Sequence, residues 1–153
     1  MTEKYSNIQE EELALGLGEM VGANVPFDVK KYWKLIEPFI ETKTVYRYWS
    51  DESIPEGLVS TTTDINVFEE MIEDDGITSE GPITKHTGRG FDPYKVLRAF
   101  QGHVGKEQKF IDDVIKRFGF QKEFLLIDKI SPTRENTVAS VVRDGNQLKV
   151  EYD

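Results

Sequence analysis

Arg47, the hydroxyl run Ser60-Thr61-Thr62-Thr63, and the pair Gln121 and Glu123 are the residues whose types and spacing could do chemistry. Arg47 stands in "VYRYW", where a long cation among aromatics needs a reason. The hydroxyls close "LVSTTT", and Gln121 and Glu123 open the apolar stretch "FLLI". Side chains two apart along a strand share a face, so Gln121 and Glu123 would point together. A guanidinium gives a planar fork for phosphate, a hydroxyl can orient a carboxylate, and a carboxylate can stabilise developing positive charge.

These residues need strands to hold them. "TVYRYW" over 44–49 is β-branched and aromatic, and "LVSTTT" over 58–63 is a second short strand. Asp64 caps a helix through "DINVFEEMIEDDG", with Ile65, Phe68, Met71 and Ile72 on one face and Gly76 as its stop. Residues 77–93, rich in Gly, Thr and Pro, predict a long loop, and "YKVLRAF" a further strand. "KEQKFIDDVIKRFG" is a helix with Phe110, Ile111, Val114, Ile115 and Phe118 on one side, and "KEFLLIDKI" is the strand after it. "TVASVV" and "QLKVEY" around Asp144-Gly145 form a hairpin. Upstream, Ser6 and Gln9 make a capping box for one helix, and Asp28 caps another through "VKKYWKLIEPFIE", which Pro38 kinks or shortens. The sum is an α+β chain in which N-terminal helices lead and a mainly antiparallel β-sheet follows.

The order aromatic-Arg strand, Ser-Thr-Thr strand with a helix behind it, then Gln-x-Glu entering a strand resembles the arginine-serine-glutamate class of mono-ADP-ribosyltransferases. That class includes the clostridial Rho-modifying exoenzymes and phage-encoded ADP-ribosyltransferases. The motifs here are "VYRYW", "LVSTTTDINVFEEM" and "FGFQKEFLLI", and the likeness runs from about residue 44 to about 130. Tyr48 follows Arg47 where the family has Gly, and the second motif ends in Thr where the family has Ser. The resemblance implies a β-sheet core of ADP-ribosyltransferase type and an enzyme that cleaves NAD, as substrate, at the nicotinamide–ribose bond. It implies that Glu123 stabilises the oxocarbenium-like ribose and holds its 2′-hydroxyl. Arg47 would grip the phosphate or ribose region of NAD. Ser60 would orient Glu123, with Thr61 and Thr62 at the same cofactor-binding strand. Gln121 would hold the acceptor, and Phe118 and Phe120 would touch the target protein.

A chain of 153 residues suits one domain, with a helical part over 1–43 and a mixed sheet part over 44–153. No apolar run approaches a membrane span and no apolar leader is visible. With no cysteine, disulfides and thiolate metal sites are excluded, and a cytoplasmic location is expected. The net charge of −9 argues against nonspecific nucleic-acid binding and anionic membranes, and it suits a protein acceptor or a basic protein partner. No metal-ligand spacing appears, and "TGRG" lacks the glycine spacing of a phosphate-cradling loop.

Simpler roles stand beside these. Arg47 can pack on Tyr46 or Trp49 by a cation–π contact. Ser60 to Thr63 can be a strand end that feeds the cap at Asp64. Glu123 can be a solvent-facing charge paired with Lys122 or Lys129. His86 and His103, the only histidines, can form an acid–base pair. From a different class, a non-enzymatic acidic binding protein, such as an immunity or anti-defence inhibitor or a nucleic-acid mimic, fits the charge and size equally well. Whether Arg47, Ser60 and Glu123 meet in one cleft separates the two classes.

Overall fold

A computed structural model describes residues 2–23, 25–50, 57–100, 108–119 and 122–153. Helix α1 (Thr2–Ala23) buries Leu13, Ala14 and Leu17 against α4 (Pro93–Phe100) and α5 (Gln108–Phe118). The helix expected after Asp28 breaks into a turn, the four-residue α2 (Trp33–Ile36) and a 3-10 turn (Glu37–Phe39). Pro38 accounts for the break, because it has no N–H to donate and its ring crowds the preceding turn.

The strands are β1 (Glu41–Tyr48), β2 (Val59–Thr62), β3 (Gly81–Phe91), β4 (Glu123–Leu126), β5 (Thr137–Asp144) and β6 (Gln147–Tyr152), with α3 (Val67–Glu73) between β2 and β3. Their order is β1-β2-β4-β3-β5-β6, every pairing is antiparallel, and β1 also pairs with β3. The α+β expectation therefore holds. β1, β2, β4 and β3 close into a ring around Val45, Val59, Phe124 and Leu126, each fully buried. Burying each of these is worth about 1.5–3 kcal/mol. A second cluster joins Phe68 of α3 to Ile77, Ile83, Ala139 and Val141. Among the described residues, no helix is long and apolar enough to cross a membrane.

Two further elements differ from the sequence-based expectation. Residues 81–91, expected as loop, form β3, the longest strand, paired with the whole of β1 from Glu41↔Gly90 to Tyr48↔Ile83. Its glycines answer close approach and not a turn: a Cβ on Gly81 would meet the Trp49 carbonyl, and one on Gly90 the Leu125 carbonyl and the Phe124 ring. Residues 94–100, expected as a strand, belong to α4. The Asp92 carboxylate accepts the N–H groups of Tyr94 (2.8 Å) and Lys95 (3.3 Å), and Pro93 sits at the first helical position. An Asp cap before Pro is a helix start, and Pro93, Val96, Leu97 and Phe100 supply the helical stripe.

Candidate active site around Glu123

β2 and β4 pair with Thr62 opposite Glu123 and Ser60 opposite Leu125. Directly opposed residues share a face, so Ser60 and Glu123 are diagonal neighbours on one side of the ladder. The Ser60 hydroxyl donates to Glu123 Oε2 at 2.5 Å. Glu123 is therefore not the solvent-facing partner of Lys122, whose ammonium instead bonds Asp64 at 3.0 Å. Lys122 takes a left-handed backbone conformation (φ 49°), and its carbonyl accepts the Thr63 N–H at 3.1 Å. That bend feeds the chain into β4 with Glu123 as its first residue.

β1 and β2 pair only at Tyr46↔Thr62. Next to that pair, Arg47 adds a side-chain link between the strands, donating from Nη1 to the Ser60 carbonyl at 2.6 Å. Its guanidinium lies over the Trp49 ring, 4.7 Å from the centroid. The cation–π contact is thus real, and the same cation fixes the backbone of the residue that holds Glu123. Thr61 is buried, and its hydroxyl donates to the Phe124 carbonyl at 2.5 Å, tying β2 to β4. Thr62, also buried, accepts the Asp64 N–H at 3.1 Å. These threonines firm up the strand pair.

A cavity of about 130 Å³ is lined by Arg47, Ser60 and Glu123 together with Tyr46, Tyr48 and Phe68. The three motif residues do meet in one cleft. On the other side of Glu123 a cavity of about 160 Å³ is lined by Lys43, Asp92, Tyr94, Arg98 and Lys122. A cavity of about 770 Å³ lies elsewhere, between α3 and the β5–β6 hairpin.

Burial pushes Glu123 above the ordinary glutamate range. The hydrogen bond from Ser60 opposes that rise, the nearby Asp92 charge adds to it, and Arg47 offsets it. Tyr94 is the residue that sequence reasoning missed. It is buried against Glu123, its hydroxyl donates to the Phe118 carbonyl at 2.8 Å, and burial first and the Glu123 charge second push its pKa up. The missed signal was Asp92-Pro93, which starts a helix and sets Tyr94 in its first turn. A phenol has one proton, and with that proton on Phe118 the oxygen is left to accept from Glu123 in its neutral form.

Phe118 is half-buried against the helical core, at the end of α5. Phe120, Gln121 and His103 lie outside the described residues. His86 is half-buried, bonds Thr84 Oγ1 at 2.6 Å, and is held below its ordinary pKa by burial. Trp49 Nε1 donates to the same hydroxyl at 2.8 Å, so His86 belongs to a strand-packing chain.

No family model, curated protein or solved structure matches the chain. The geometry around Glu123 therefore carries its chemical reading. Ser60→Ala tests the link between hydroxyl and carboxylate. It removes a bond that favours the charged form, so the pKa of Glu123 should rise further. Titration of the Glu123 carboxyl by NMR should place it at higher pH in Ser60→Ala than in the parent.

Proposed function

We propose that the protein is a mono-ADP-ribosyltransferase that cleaves NAD at the nicotinamide–ribose bond and transfers ADP-ribose to a protein or other macromolecular acceptor. The observation that carries this reading is the 2.5 Å Ser60–Glu123 hydrogen bond on a cavity that also holds Arg47. In the reaction the C1′–N bond breaks, and its electron pair leaves on nicotinamide. The ribose gains oxocarbenium character, which the Glu123 carboxylate stabilises at close range. The acceptor's nucleophile then bonds to C1′ and gives up its proton. Arg47 and Ser60 keep Glu123 in place, and the Arg47 charge favours its ionised form.

Each cavity beside Glu123 is below the roughly 300–1,000 Å³ of common ligand sites, so a dinucleotide would span both. Tyr46, Tyr48 and Phe68 suit the nicotinamide ring, and Lys43, Arg98 and Lys122 suit the pyrophosphate. Gln121 and Phe120, with Phe118, would meet the acceptor.

Millimolar NAD should raise the melting temperature, since a ligand that binds only the folded state stabilises it by mass action. Incubation with labelled NAD and a cell lysate should label an acceptor. A flat melting temperature together with no label would overturn the proposal. The second reading, a non-enzymatic acidic binding protein, draws on one observation: the cavity of about 770 Å³ lies away from Glu123 and has acidic residues along one wall. It gives neither result with NAD.

A further inference from the structure

Strand β6 ends the strand order, and among the described residues none pairs with its outer edge. Asp144↔Gln147 closes the hairpin, and the Asp153 N–H donates to the Val138 carbonyl at 3.0 Å. Alternation along an antiparallel ladder then turns the N–H and C=O groups of Leu148, Val150 and Tyr152 outward. Such an edge is a template for another strand.

The cavity of about 770 Å³ runs along this edge. Gln147, Leu148, Lys149 and Val150 line it in succession, although successive side chains point to opposite faces of the sheet. It therefore follows the rim of β6 and not one face. Its floor includes Ile72, Ile77, Leu148 and Val150, and Glu69, Glu73 and Asp75 stand on the α3 side.

We propose that this groove docks an extended, basic segment of a partner protein, added to β6 as a further strand. The outward backbone groups give the ladder, and lysine or arginine stems would cover Ile72 and Leu148 while their charges reach Glu69, Glu73 and Asp75. On the hairpin side Lys149 is already paired with Asp144 at 3.6 Å, and Arg143 sets one cation against the three acids of the α3 side. A net charge of −9 steers a basic partner toward this surface. A second copy of the chain fits less well. Pairing β6 with itself about Val150 would set Lys149 against Glu151, but it would put two acidic α3 helices on the same face. The proposal stands independently of any NAD chemistry.

The test uses fluorescence anisotropy with a labelled peptide of alternating lysine and threonine, (Lys-Thr)₄, and three comparisons. A (Glu-Thr)₄ peptide should bind at least tenfold more weakly. (Lys-Thr)₄ N-methylated on every second residue, made in both frames, should lose binding in the frame that faces β6. The variant Glu73→Gln/Asp75→Asn should bind (Lys-Thr)₄ at least fivefold more weakly with an unchanged melting temperature, because asparagine tolerates the left-handed backbone of Asp75 (φ 60°). Absence of (Lys-Thr)₄ binding overturns the proposal. So does equal binding of both N-methylated frames, or unchanged binding by the variant, since charge alone would then explain the affinity. A dimer in sedimentation that the peptide does not dissociate assigns the edge to a second copy and also overturns it.

Discussion

Glu123→Gln should abolish both NAD hydrolysis and ADP-ribose transfer, by 10²-fold or more, and should make the protein more stable at neutral pH. The loss follows from removing the charge that faces the developing oxocarbenium. The gain follows from the same burial that makes the site. Gln keeps a carbonyl to accept from Ser60 and offers an N–H toward Tyr94, so the hydrogen bonds survive without the half-buried charge.

The sign of the stability change can be worked out from the direction of the shift. Glu123 has a folded pKa above its unfolded value, so the folded state binds the extra proton between the two. Its favourable contribution is complete below the unfolded pKa and is lost as pH rises through the folded one. The melting temperature of Glu123→Gln should therefore exceed that of the parent at pH 7, and the difference should vanish in acid below the ordinary glutamate pKa. Activity runs the opposite way, since it needs the carboxylate, and should fall as pH drops through the raised pKa. An activity of the Gln variant within tenfold of the parent would remove Glu123 from the chemistry. Gln121→Ala, by contrast, should spare NAD hydrolysis and lose only transfer.

Gly90→Ala should cost about 2–3 kcal/mol, because the added methyl meets the Leu125 carbonyl and the Phe124 ring edge and the ring has no room to yield. For a chain of this size that is a fall in melting temperature of roughly 5–10 °C. Gly119→Ala is the control: its Cβ would meet none of the described residues within 4 Å, and it should change stability by less than about 0.5 kcal/mol. Equal melting temperatures for the two variants would mean that β3 does not press on β4 at Gly90.

Arg47, Ser60 and Glu123 were legible in the sequence because each breaks the pattern of its own strand: a cation among aromatics, hydroxyls at an apolar end, an acid opening "FLLI". Their convergence was not legible, since it depends on strand order, and β2 lies beside β4 across 60 intervening positions of chain. The glycines of β3 were misread because the residue that frees a turn is also the one that lets two backbones touch. Tyr94 stayed hidden for a related reason. Its segment "YKVLRAF" alternates well enough to pass for a strand, and only the cap at Asp92 decides for a helix.

Ring closure has a consequence for when the candidate site is assembled. β1 must find β3 some forty residues on, and β2 must find β4 about sixty residues on, as in Tyr46↔Lys85 and Thr62↔Glu123. Contacts so distant in sequence form slowly, because the entropy of closing the loops is lost before any pairing rewards it. A growing polypeptide can build α1, α3 and the β1–β3 pair while Ser60 still lacks its carboxylate. The Ser60–Glu123 pair then forms only with the last strand of the ring, so under the proposed function truncated or half-folded chains would leave NAD uncleaved.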